Sequence, residues 1–165
     1  MADAPPSPAT VRRAGPDDAA ALARLRWTWS EEGHAPIAGS RDEYADGLRD
    51  WMTAHPSIVP FLGSVGGQDV GMAWLVLVPR VPDPRSFDRL TGDIQSVYVL
   101  PDHRDAGLGA RLVDAALAHA RGAGCFRVTV HAQPAAASLY ERAGFAVRRE
   151  LMLTPLDRTR PPGGP

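Results

Sequence analysis

The stretch from Val97 to Ala110 places the tightest limits on what this chain can fold into. An apolar strand pattern stops at Pro101, passes Arg104, and enters a helical pattern through two alternate glycines, Gly107 and Gly109. A strand that runs straight into a helix belongs to a mixed α/β domain, with helices packed on the faces of a sheet. The same turn presents free backbone N–H groups and the positive end of a helix dipole, an arrangement suited to an anion. Gly107 and Gly109 let the backbone approach phosphate oxygens, and Arg104 adds a fixed charge. Gly-x-Gly ahead of a helix is weak evidence alone, because a plain strand-to-helix turn has the same look. A dinucleotide-binding fold would want a third glycine where Leu112 stands, and an acidic residue at a strand end about 20 positions on, which this chain lacks.

The remaining elements follow from hydrophobic spacing and turn residues. Thr10 to Ala14 reads as a first strand, and Gly15-Pro16-Asp17 opens a helix to about Glu32 with Leu22, Leu25 and Trp29 on one face. Ser40 and Glu43 form a capping-box signature for a second helix through Ala54, with Tyr44, Leu48, Trp51 and Met52 inward. Ile58–Val65 and Val70–Val78 read as a hairpin around Gly66-Gly67-Gln68-Asp69, followed by a Pro-broken connection, Pro79 to Thr91. In the next strand, Gly92 to Leu100, the apolar positions switch parity between Ile94 and Val97. A β-bulge does that, and so does a strand buried on both faces. A helix over 108–121, a strand over 127–131, a short helix over 135–143 closed by Gly144, and a final strand over 145–154 complete the order. Residues 10–156 form one domain in this reading, flanked by flexible tails at 1–9 and 157–165.

Composition removes whole classes of function. All 18 basic residues are Arg, so a Walker lysine, a Schiff-base lysine and a kinase-type lysine are excluded. A net charge of −1 argues against nucleic acid or an anionic membrane as partner. The start of the chain does not read as a signal peptide, and the longest apolar run is far short of the ~20 residues of a membrane span. A cytoplasmic location is the expectation. The single cysteine, Cys125, rules out intrachain disulfides and Cys-cluster metal sites, and no metal is expected; its place at the head of an apolar run reads as a small buried residue before it reads as a nucleophile.

Two segments carry a family resemblance. Arg104, Gly107 and Gly109 match the Arg/Gln-x-x-Gly-x-Gly/Ala phosphate loop of the GNAT superfamily of N-acetyltransferases, and Leu139-Tyr140-Glu141-Arg142-Ala143-Gly144-Phe145 is similar to its Leu-Tyr-Glu-x-x-Gly-Phe signature. The resemblance covers about residues 10 to 155. It implies a single GNAT-like domain with a central mixed, mostly antiparallel sheet and helices on both faces, and acetyl-CoA as co-substrate. The backbone of Val97, Tyr98 and Val99 would pair with the pantetheine arm, and amides of Arg104, Asp105, Ala106, Gly107, Leu108, Gly109 and Ala110 would hold the pyrophosphate. Tyr140 would protonate the departing thiolate. Three departures stand out: Asp105 where glycine is usual, Gln133 where many members carry Asn, and little chain left for the family's closing strand. A partner chain could supply that strand, so a homodimer is one expectation.

The resemblance places the base on the strand before the loop, which makes Asp93 the first candidate and Gln95 a holder of water. Glu31, Glu32 and His34 would border the acceptor side, and His131 would end the strand beside the cofactor slot. Trp27, Trp29 and Trp51 could line an aromatic pocket, although helical spacing favours core packing. The expected acceptor is a small diffusible amine drawn in by Glu31 and Glu32. Protein or peptide N-acetylation, and a non-catalytic acyl-CoA-binding sensory domain, are the alternatives.

Overall fold

The computed structural model describes residues 8–33 and 36–154. His34 lies outside them, as do the expected tails apart from Pro8 and Ala9. The elements are β1 (Thr10–Arg13), α1 (Ala19–Glu32), α2 (Arg41–Ala54), β2 (Ile58–Val65), β3 (Gln68–Pro79), β4 (Leu90–Val99), α3 (Leu108–Gly122), β5 (Cys125–Val130) and α4 (Ala137–Arg142). Among the described residues no helix is long and apolar enough to cross a membrane.

The five strands form one sheet in chain order; β1 to β4 are antiparallel, and β5 joins β4 in parallel. Strand alternation sorts the side chains into two layers. Phe61, Ala73, Leu75 and Ile94 pack under α3 with Leu108, Leu112 and Ala116. Leu62, Met72, Trp74 and Tyr98 pack under α1 and α2 with Leu22, Leu25, Leu48 and Met52. The hairpin between β2 and β3 turns through Gly66 and Gly67, both at positive φ (58° and 81°), the pair of left-handed residues a two-residue turn of this hand needs. Ser40 accepts the Glu43 amide at 3.2 Å while Glu43 accepts the Ser40 amide at 2.9 Å, so α2 begins at the capping box read from sequence.

Three expectations are corrected. Tyr44 and Trp51 are 37% and 41% exposed: the buried stripe of α2 is narrower than its apolar content, because Leu48 and Met52 already fill the contact with the sheet. A 3-10 turn, Pro16–Asp18, precedes α1, whose helix starts only at Ala19. The final strand is absent: residues 145–154 join no sheet, and Val147, Leu151, Met152 and Leu153 are 94%, 73%, 92% and 72% exposed. A strand is held by its pairing, and apolar alternation without a partner strand leaves the backbone unstructured.

Candidate active site

β4 is paired along both edges only in its first half. β3 accompanies it from Leu90 to Val99, whereas β5 follows it only to Ile94. Just past that point Ser96 takes a left-handed φ of 56°, and the register against β3 shifts between Met72 and Trp74. This is the bulge that the parity switch allowed. It puts Ile94 and Val99 in the α3 layer and Tyr98 in the opposite one. The Leu100 amide donates to Val70 O at 2.8 Å, while Val99 O accepts from Arg104 Nε at 2.9 Å. Alternation along the strand therefore turns the backbone groups of Val97 and Val99 into the open edge, and those of Tyr98 toward β3. Of the three residues expected to meet the pantetheine arm, Val97 and Val99 face this edge, the Val99 carbonyl already accepting from Arg104 Nε, and Tyr98 faces away from it.

The open edge leads into the glycine turn. Asp105 and Gly107 are left-handed (φ 62° and 81°), a conformation that glycine takes without cost and that aspartate tolerates. The first helical hydrogen bond of α3 runs from the Arg111 amide to Gly107 O at 3.2 Å, so the amides of Leu108, Gly109 and Ala110 have no acceptor within the helix. The Leu108 side chain anchors this end. A Cβ added at Gly63 would fall 2.8 Å from Leu108 Cδ1, and one at Gly71 would fall 3.1 Å from Leu112 Cδ1. Two glycines on the hairpin thus notch the sheet so that α3 can start close against it. A Cβ on Gly109 would meet nothing nearer than Leu139 at 3.8 Å, so the protein itself does not require glycine there. That bareness suits a phosphate.

Arg104 does not extend into this cradle. Its amide donates to Pro101 O at 3.1 Å, and its guanidinium reaches Glu32 at 3.1 Å. Tyr98 donates to the same carboxylate at 2.6 Å and stacks on Trp29. The Tyr98 hydroxyl, then Arg104, hold Glu32 below the usual carboxylate range; burial and Glu32 push Tyr98 up to about 12. Glu32 and Arg104 thus clamp the end of α1 to the end of β4, and the amide donors left for an anion narrow to Asp105 through Ala110. Glu31 is engaged too, accepting from Trp27 Nε1 at 2.9 Å.

Beside the bulge, Asp93 accepts from Thr129 Oγ1 at 3.0 Å and from Gln95 Nε2 at 2.7 Å, so each carboxylate oxygen has a donor that fixes its direction. His131 and Gln133 follow β5 and are exposed, and Gln133 caps nothing with its side chain. On α4, the Tyr140 ring is buried, edge-on to Phe145 at 5.7 Å, and its neighbour Leu139 faces Gly109. Burial raises the phenol above its ordinary value, so it keeps its proton at neutral pH. Among the described residues no sealed side-chain polar atom lacks a partner.

The model of the acetyltransferase (GNAT) family matches residues 20–145. The chain belongs to the GNAT acetyltransferase family. Among curated proteins, this GNAT chain is 31% identical over 86 residues to glucosamine 6-phosphate N-acetyltransferase of Trypanosoma brucei brucei, covering 52% of this chain and 56% of that protein. It is 34% identical over 61 residues to glucosamine 6-phosphate N-acetyltransferase 1 of Oryza sativa subsp. japonica, covering 37% of each. The chain therefore spans about half, or less, of the curated relatives it matches. Among solved structures, a predicted acetyltransferase of Clostridium acetobutylicum crystallised with acetyl-CoA superposes with a TM-score of 0.71 at 16% identity, over 90% of this chain and 96% of that one. That likeness is one of fold.

Against the family's pattern, this GNAT site holds elements that sequence reading missed. Thr129 gave no local signal, because its partnership with Asp93 exists only through the parallel register of β5. Ser96 was within reach: it lies inside the interval where the parity switches. Cys125 opens β5, and burial raises its thiol above the ordinary value, which fits a packing residue.

Proposed function

We propose that this chain transfers the acetyl group of acetyl-CoA to a primary amine of a small molecule. The observation that carries the reading is the open edge of β4 running directly into the unpaired amides at the start of α3. An extended arm can add to the edge as a strand would, and phosphates can lie on the amides. The residues present fit such a ligand: Val97 and Val99 for the arm, Asp105 to Ala110 for the pyrophosphate.

Acetyl-CoA supplies an activated thioester, whose C–S bond breaks as the amine nitrogen forms the new C–N bond. The nitrogen must shed a proton, and Asp93, held by Thr129 and Gln95, is assigned to take it directly or through one water. The departing sulfur must gain a proton, and Tyr140 is assigned to give it, its buried phenol being protonated at working pH. A sensory domain would have no use for a carboxylate oriented in this way. The curated relatives are named for an amino sugar phosphate, which supports an acceptor of that size over a protein chain. Thiol release from acetyl-CoA should be measured across polyamines, amino acids, amino sugars and arylamines beside peptides of varied N-terminus. Release with small amines, rising with pH as the amine deprotonates, is the expected result. Turnover of peptides alone would replace it with protein acetylation, and tight binding without any release would leave a sensor.

A homodimer is part of the proposal. Among the described residues nothing pairs with the outer edge of β5, and residues 145–154 expose four large apolar side chains, so a second copy could complete the sheet. Sedimentation should then give a dimer that Leu151→Asp dissociates, and a wild-type monomer at micromolar concentration would remove the idea.

A further inference from the structure

One half-buried cation near the bulge is left uncompensated by the clamp and by the acetyl-CoA cradle. Arg26 extends from α1 so that its NH1 donates to Ser96 Oγ at 2.8 Å, and its guanidinium lies 4.8 Å over the Trp29 ring. Both contacts are with neutral groups. Among the described residues the ion pairs fall elsewhere, at Arg12, Arg49, Arg85 and Arg104. A partly desolvated guanidinium without a carboxylate keeps its planar fork of donors available.

Arg26 also lines a cavity of about 340 Å³ between α1, the segment before α2, and α2 itself. Trp27, Ile37 and Tyr44 give this cavity an apolar and aromatic wall. Glu43 lines it as well, but its Oε2 is taken by the Ser40 amide and hydroxyl, at 2.9 and 3.0 Å. At the end of α1, Glu31 accepts from Trp27, and Glu32 is held by Tyr98 and Arg104. The cavity lining therefore holds one guanidinium, in contact with the bulge residue itself, and one carboxylate, Glu43, which is tied into the cap of α2.

We propose that Arg26 binds an anionic group of the acceptor, so that the preferred substrates are small primary amines that also carry a carboxylate or a phosphate. This rests on the acetyl-transfer reading, and it reverses the expectation of a purely cationic amine attracted by Glu31 and Glu32. An acid group seated on the guanidinium as a bidentate pair would hold the rest of a small molecule at Ser96, where the closed part of β4 gives way to the open edge. The cavity wall would take the molecule's carbon skeleton. The amine would then be presented to the thioester by a contact that does not itself change during transfer, so Arg26 is a specificity determinant and not a catalytic residue.

The test uses matched pairs on the full chain: glycine against glycinamide for a carboxylate, and glucosamine 6-phosphate against glucosamine for a phosphate. In at least one pair the anionic member should have a kcat/KM tenfold or more above its neutral partner. Arg26→Gln should collapse that ratio toward one, mainly by raising KM for the anionic amine, with calorimetric acetyl-CoA affinity within about twofold of wild type and an unchanged melting profile. Arg26→Lys should keep part of the preference. Quenching of tryptophan fluorescence by the anionic amine, titrated in the presence of CoA, should weaken in parallel. Equal rates for both members of each pair in the wild type, or an Arg26→Gln variant that lowers both members equally, would overturn the inference while leaving acetyl transfer standing. Absence of thiol release with every amine would defeat the catalytic reading, and the inference with it.

Discussion

The two halves of β4 share a strand and differ in almost everything else. From Leu90 to Ile94 it is paired on both edges, and Gly92 sits so tightly that a Cβ would lie 3.0 Å from Leu75 Cδ1 and 3.2 Å from Val128 Cγ2. From Ser96 to Val99 one edge is open, a residue is left-handed, and the neighbouring side chains are tyrosine, arginine and glutamate. The closed half stores stability; the open half leaves backbone donors unspent. A few residues of lost pairing are the structural cost of a place where an extended ligand can bind.

That contrast can be broken most sharply from the open side. Tyr140→Phe should lower kcat by ~10²–10⁴-fold, the usual scale for a positioned proton donor, with acetyl-CoA affinity and melting temperature little changed. Near-wild-type turnover in a chemistry-limited assay would return Tyr140 to a packing role. Gly109→Val should cost about 1.5–6 kcal/mol in acetyl-CoA binding, the sum of one or two lost charge-assisted hydrogen bonds, while the fold stays intact because the site has room for a side chain. Unchanged calorimetric affinity would move the phosphate site elsewhere. Gly109 is a cleaner probe than Gly107, whose left-handed φ would strain any branched residue whether or not a ligand is present.

From the closed side, Gly92→Val should behave in the opposite way. Overpacking against Leu75 and Val128 should cost about 1–3 kcal/mol of stability in denaturant melts. The kcat measured well below the melting temperature should stay near wild type. If activity falls with stability preserved, the division of β4 into two functional halves is wrong.

The smallest effect concerns the clamp. Tyr98 has a folded-state pKa raised from 10.0 to about 12, so its contribution is full below pH 10 and disappears as pH rises through about 12. Glu32 is shifted the other way, below 4.5, so its contribution is present above that value and is lost as pH falls through its lowered folded-state value. The difference in melting temperature between wild type and Tyr98→Phe should therefore be flat between these limits and shrink outside them. A difference that varies across neutral pH would mean that the Tyr98–Glu32 bond is not its source.

What the sequence made legible follows the range of the interactions. The glycine turn could be read because its chemistry is local: left-handed backbone and free amides are properties of consecutive residues. The bulge could be read because a parity switch is written along one strand. The Tyr98–Glu32 and Arg26–Ser96 contacts, 66 and 70 positions apart, could not, because they depend on how α1 lies across β4. The Arg104–Glu32 pair, 72 positions apart, was hidden for the same reason. The strand expected over 145–154 failed differently: its side chains have the right alternation, but no strand among the described residues pairs with it.

The notch made by Gly63 and Gly71 has a consequence for timing. Because Leu108 is locked against the sheet by the protein's own packing, the start of α3 is held in place, and under the proposed acetyl-transfer reading capture of acetyl-CoA would need little further ordering there. Substitutions in the cradle should then act mainly on how long the ligand stays, with arrival rates nearly constant among variants. A larger residue at Gly63 should instead slow arrival, by making the helix start search for its place. The β2–β3 hairpin directly beneath α3 would in that sense set the clock of the binding site.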